Sequence, residues 1–317
     1  MSNLRASVFA AALLAGVTGV VFAASADPFY QGPQACHDCH QPEETVFAGT
    51  KHATEFKDIH RNPKAKDIIA AAGGDANMRR NAVCTTCHYT MVTPSGGGTP
   101  TAQAGPSCES CHGPSSDWLN VHNDFGGPSA KESTETPAHK AQRFQKAISL
   151  GWIPPTMLYD IAENCLSCHE LTRKGIDPAI LAKMIDAGHP AGTSFELVMY
   201  SQGTVRHRFY PPDVTKNAEM TPAELARMYI TGQAAALVKE KAAAAGGLNS
   251  PKYQDTLKQI DTSATTALNA VKDQVPEAAA LLADPSDANA RKLVDAIKTK
   301  DLSPQVGSLL PAKNTYK

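Results

Sequence analysis

Cys36-His37-Asp38-Cys39-His40, Cys84-Thr85-Thr86-Cys87-His88, Cys108-Glu109-Ser110-Cys111-His112 and Cys165-Leu166-Ser167-Cys168-His169 are four copies of one pentapeptide, Cys-x-x-Cys-His. The 317-residue chain has eight cysteines, and these motifs use every one. The spacing is the attachment signature of c-type haem. Two thiols three residues apart bond the vinyl groups on one porphyrin edge, and the imidazole that follows becomes the proximal ligand of the iron. Zinc ribbons and disulfides are the competing readings. A zinc site made of two Cys-x-x-Cys pairs needs no histidine after each pair, and disulfides across such short loops gain little chain entropy. The motifs therefore predict four covalently bound haem c groups on Cys36, Cys39, Cys84, Cys87, Cys108, Cys111, Cys165 and Cys168, with proximal ligands His40, His88, His112 and His169.

Haem of this type is attached outside the cytoplasmic membrane, so the chain should be exported. Residues 1–26 fit an export signal: Arg5 supplies the positive start, an apolar run extends from Val8 to Phe22, and small residues offer cleavage before Asp27. That run is short and interrupted by glycine for a membrane span, which needs about 20 apolar residues. A periplasmic location is expected, with the membrane reached only through a partner protein. The mature chain keeps 29 basic and 31 acidic side chains, close to balance, and haem propionates would add negative charge, which argues against nucleic acid as a partner. Aromatic residues make up 6% of the chain, so apolar surface in the motif-bearing part has to come from haem.

Three segments follow: a signal at 1–26, a haem-bearing domain at 27–213, and an alanine-rich helical extension at 214–317. The fold class expected is mostly α, a loop-rich multihaem cytochrome c domain with a C-terminal α-helical extension. In the second segment the motifs are unevenly spaced: His40 and Cys84 are 44 residues apart, His88 and Cys108 are 20, and His112 and Cys165 are 53. Equal modules are excluded. Loops such as Thr93 to Pro106 are rich in Gly, Pro and Ser, so regular structure there should be sparse and helical. Tyr210-Pro211-Pro212-Asp213 has the composition of a linker. Beyond it, Thr221-Pro222-Ala223-Glu224 is a helix start with a capping box, and that helix should stop near Gly246-Gly247. Ser250-Pro251 opens a second helix, whose apolar positions Leu257, Ile260, Ala264, Leu268, Val271 and Val275 step by three or four residues before Pro276. A third is expected over 287–300.

What lies on the far side of each iron decides between electron carriage and chemistry, because an iron with two histidines has no open position for a substrate. Seven histidines remain after the proximal four: His37, His52, His60, His122, His139, His189 and His207. His37 sits inside a motif and cannot easily reach its own iron, which leaves six candidates for four positions.

The segment from Cys36 to Ala53, a haem motif followed by Thr50-Lys51-His52-Ala53, resembles the opening of the tetrahaem cytochrome c-554 family. Cys108 to Pro114 followed by His122 resembles that family's third haem segment. The likeness runs from about Gln31 to His169 and weakens after it. It implies that His52 crosses to the third haem and His122 to the first. For the fourth haem it leaves His189 as the preferred distal ligand, with His207 as the alternative. It also implies that the second haem is five-coordinate, although His207, His60, His139 or Met91 are available to fill that position.

Two functions stay open on this reading. The first is a periplasmic carrier passing electrons from a donor oxidoreductase or quinol dehydrogenase to an acceptor, in the oxidation or respiration of nitrogen compounds. The second is a haem enzyme that reduces nitric oxide, nitrite or hydroxylamine at an open second haem. No acid-base cluster around Cys84 to Met91 favours the second.

Overall fold

The computed structural model describes residues 27–127, 129–192 and 195–317. The proposed signal segment lies outside them. The chain is mostly α-helical and rich in loops, with sixteen α-helices and one small sheet among the described residues. The haem-bearing part runs α1 (Gln34–His37), α2 (Gln41–Phe47), α3 (Lys51–Asp58), α4 (Ala65–Ala72), α5 (Ala82–His88), β1 (Thr90–Val92), β2 (Thr101–Ala104), α6 (Cys108–His112), α7 (Leu119–His122), α8 (Pro137–Ser149), α9 (Leu158–His169), α10 (Pro178–Asp186) and α11 (Leu197–Ser201). Most are too short to persist alone, since isolated helices below about 12 residues are marginal. Strand β2 falls inside the stretch from Thr93 to Pro106 read as a loop and pairs antiparallel with β1 just before it, with Thr90 opposite Ala104 and glycines 96 to 98 turning between the strands.

The C-terminal part contains α12 (Pro222–Ala245), α13 (Pro251–Val271), α14 (Pro276–Ala283), α15 (Asp287–Ile297) and α16 (Ser303–Val306). The capping box at the start of α12 is formed, with Thr221 and Glu224 exchanging bonds. α12 is buried on all sides from Met228 to Val238, as a helix at the centre of a bundle must be. Small residues let neighbours approach it: a side chain added at Gly232 would lie 2.7 Å from the Leu197 Cβ of α11. α13 ends at Val271, earlier than the apolar pattern suggests; Val275 is buried but caps the separate helix α14, which periodicity did not resolve.

The extension does not stand apart from the haem-bearing part. One apolar core unites Tyr159, Ala162 and Leu166 of α9 with Leu181 and Ile185 of α10 and the buried faces of α12 to α16. Polar contacts fasten the same junction. Tyr159 donates to Asp287 at 2.7 Å, Arg291 pairs with Asp160 at 2.7 Å, and Tyr253 donates to the Glu170 carbonyl at 2.8 Å. The segment around Pro211-Pro212 also closes on itself, through Arg208 N donating to Asn217 and Asn217 donating to the Arg206 carbonyl. No helix among the described residues is long and apolar enough to cross a membrane.

Candidate haem-binding site

Helical backbone gives the motifs their geometry. α5, α6 and α9 each end on the motif histidine, so the two cysteines at i and i+3 share one helix face and the imidazole follows at i+4. Caps fix two of these helices. The Asn81 side chain accepts from Val83 N and Cys84 N and donates to the Gly73 and Asp75 carbonyls. Ser107 and Ser110 form a capping box for α6, and Thr90 donates to Ser107 at 2.8 Å, tying the motif to β1. Glu109, inside the third motif and 1% exposed, accepts from Gln31 N, Gly32 N and Ser115 N at 3.0, 2.7 and 2.8 Å. It thereby fastens the segment before the first motif onto the third. Sequence reading missed this role, although a carboxylate in an attachment motif that ends up buried requires donors.

All eight motif cysteines line one cavity of about 2310 Å³, together with His40, His52, His88, His112, His122, His169, His189 and His207. The eight histidines face each other in four pairs. Ring centroids are 6.3 Å apart for His40 and His122, 6.2 Å for His88 and His189, 6.3 Å for His112 and His207, and 5.9 Å for His52 and His169. Two imidazoles bound to opposite sides of one iron through bonds of about 2 Å have their centroids about 6 Å apart. Each pair joins one motif histidine to one of the others. His37 and His60 are exposed, His139 bonds Glu135 on the surface of α8, and none of the three lines the cavity.

The second nitrogen of several rings is already engaged. Nδ1 of His112, His122, His189 and His207 lies 2.7, 2.6, 2.9 and 2.6 Å from the carbonyls of Ile153, Leu119, Pro190 and Val205. A carbonyl only accepts, so these contacts place the proton on Nδ1 and leave Nε2 as a lone-pair donor, the usual outer-sphere arrangement for a metal-bound histidine. Burial pushes the imidazoles of His52, His112, His122 and His189 down and those of His88 and His169 to about 4, in His88 reinforced by neighbouring imidazoles. They are neutral at pH 7, the form that binds metal. The donor set and the cavity fit haem.

The pairing agrees with the resemblance at one point and departs from it at three. His122 faces His40, the first motif. His52, however, lies against His169 of the fourth motif and not against His112 of the third. His189 faces His88 of the second motif rather than His169, and His207 faces His112. The second motif, expected to lack a distal side chain, has an imidazole opposite it. Met91 is on β1, packed beside Met78, Cys84 and Tyr89.

Residues 35–113 match the family described as cytochrome c554 and c-prime. Over 175 residues the chain is 27% identical to cytochrome c-554 of Nitrosomonas europaea, an alignment spanning 52% of this chain and 67% of that protein. The chain is similar to the cytochrome c-554 family. No solved structure matches it. The family match covers the first three motifs, and the likeness implies covalently bound c-type haem and electron transfer.

Proposed function

We propose that the protein is an exported tetrahaem cytochrome that relays electrons between redox partners, with every iron held by two histidines. The observation that carries the reading is the set of four facing histidine pairs at 5.9 to 6.3 Å, one for each attachment motif. When bound, haem supplies a one-electron ferric/ferrous couple, and two imidazole ligands lower its potential relative to histidine/methionine ligation. The protein supplies attachment, ring orientation and exclusion of water. Backbone carbonyls hold His112, His122, His189 and His207 with Nε2 toward the cavity, and Glu109 and Asn164, which donates to the Cys111 carbonyl at 2.9 Å, lock neighbouring motifs together. The bonds of Glu109 to Gln31 and Gly32 and of Asn164 to the Cys111 carbonyl support an order in which the third motif stands between the first and the fourth. Export through residues 1–26, a periplasmic location, a donor oxidoreductase or quinol dehydrogenase, and a setting in the metabolism of nitrogen compounds complete the proposal.

The test is an electron paramagnetic resonance spectrum of the oxidised holoprotein before and after addition of nitric oxide, with haem content measured alongside. Four haems per chain and only low-spin ferric signals, unchanged by nitric oxide, are expected. A high-spin signal abolished by nitric oxide would overturn the fully capped reading and support an open site at the second motif.

A further inference from the structure

His122 lies on α7, a helix of four residues that cannot fix a side chain by its own hydrogen bonds. The neighbouring helix α8 supplies what α7 lacks. Arg143 donates through Nη1 to the His122 carbonyl. The rest of its guanidinium is gripped by Glu135, whose two oxygens accept from Nε at 2.7 Å and Nη2 at 2.6 Å. Both partners are out of solvent, with side chains 5% and 1% exposed. Phe125 and Phe144 flank the guanidinium at 4.8 and 4.9 Å, and Trp118 and Trp152 stand at 5.1 and 5.5 Å from the His122 ring. A fork held in two planes can fix a carbonyl's direction in a way that a flexible ammonium cannot.

A buried ion pair contributes little net stability, because desolvation of both charges opposes their attraction. Its contribution here is orientation. We propose that Arg143, aligned by Glu135, is a positioning residue for His122 and sets the ligand field and potential of the first haem. The proposal rests on His122 being an axial ligand. Arg143 fixes the backbone of the ligand, the Leu119 carbonyl fixes its tautomer, and the two tryptophans fix its ring plane. The pair also controls local charge. With both partners present the pair is close to neutral; losing the carboxylate leaves the Arg143 cation uncompensated against the His122 backbone, which favours the ferrous state.

The test uses the full holoprotein and reads paramagnetic resonance and a potentiometric titration for Arg143→Met, Arg143→Lys, Glu135→Gln and His122→Ala. Arg143→Met should convert one of four low-spin signals wholly or partly to high spin, and Arg143→Lys, whose ammonium keeps the charge but not the planar fork, should restore it only in part. Glu135→Gln should keep four low-spin signals and raise the potential of one haem. Four unchanged low-spin signals and unshifted potentials in Arg143→Met and Glu135→Gln, with only a lower melting temperature, would overturn the proposal. If Arg143→Met does not accumulate, an unshifted potential in Glu135→Gln overturns it by itself. His122→Ala separates the two readings: a fully low-spin spectrum there means His122 is not a ligand, whatever Arg143 does.

Discussion

At the scale of single residues, the assignment most open to test is His189. Its ring stands 6.2 Å from that of His88, and its backbone N donates to the Met184 carbonyl at the end of α10. His189→Ala removes the ring opposite the second motif while leaving attachment at Cys84 and Cys87 intact. One high-spin ferric signal in four should appear, with reversible binding of nitric oxide or carbon monoxide that the parent protein lacks; an unaltered low-spin spectrum would show that another side chain caps that iron. Glu170, which follows His169, gives a different prediction. It is 1% exposed, neither carboxylate oxygen has a donor, and burial together with Glu240 pushes its carboxyl up to about 8. The folded chain therefore keeps a proton that the unfolded chain releases once the pH passes the ordinary glutamate value. Folded stability should fall as pH rises from about 4.5 toward 8 and level off above that. Glu170→Gln should flatten this slope in denaturant titrations and raise stability at pH 8 by about 1 to 3 kcal/mol; an unchanged slope would mean that the carboxyl is ionised in the fold.

Elements differ in how far local sequence decides them. α12 begins where Thr221, Pro222 and Glu224 say it must and stops at Ala245, one residue before Gly246. Thr221→Ala should cost about 1 kcal/mol in thermal unfolding, the usual loss for an N-cap. Gly232→Ala should cost more, about 1 to 3 kcal/mol, because the added methyl meets Leu197 Cβ at 2.7 Å; a neutral result would require α11 to shift away from α12. The proposed attachment motifs and proximal histidines can be read from the sequence for the same reason as the α12 cap: the chemistry would be carried by residues within five positions of each other. Distal partners were not. His52 and His169 are 117 positions apart and His88 and His189 are 101, and which ring reaches which motif depends on how short helices stack. Gly105 illustrates this, for its backbone packs directly on the His52 carbonyl, a contact that helps aim α3 and that no local pattern announces. β1 and β2 escaped notice because their pairing is read only across the glycine turn that separates them.

At the scale of the whole molecule the two ends of the chain are stabilised by different means. From 27 to 158 the buried apolar side chains are Ala65, Ala72, Met78, Cys84, Tyr89, Trp118 and Ala147; five of them line the large cavity, and Ala72 joins the core of the C-terminal part. From Tyr159 to Val306 buried side chains form one continuous core through α9, α10 and α12 to α16. Burial of apolar area contributes roughly 25 cal/mol per Å², and ordering each residue costs about 1 to 2 kcal/mol of backbone entropy. The first part lacks the apolar area to offset that entropy unless haem faces replace it and eight thioether bonds shorten its loops; the second part does not. Replacing all eight motif cysteines by serine in the full chain should therefore leave the helices of 222–306 protected against hydrogen exchange while amides of 27–158 exchange freely and proteases cut there first. α9 makes the boundary informative, since it carries the fourth motif at its C-terminal end and buries Tyr159, Ala162 and Leu166 against the bundle. Protection should persist along α9 and fall off toward α5 and α6. Equal protection across the haem-free chain would mean that the polypeptide packs its own core around the cavity, and loss of protection in α12 and α13 would mean that the bundle depends on haem as much as the motifs do.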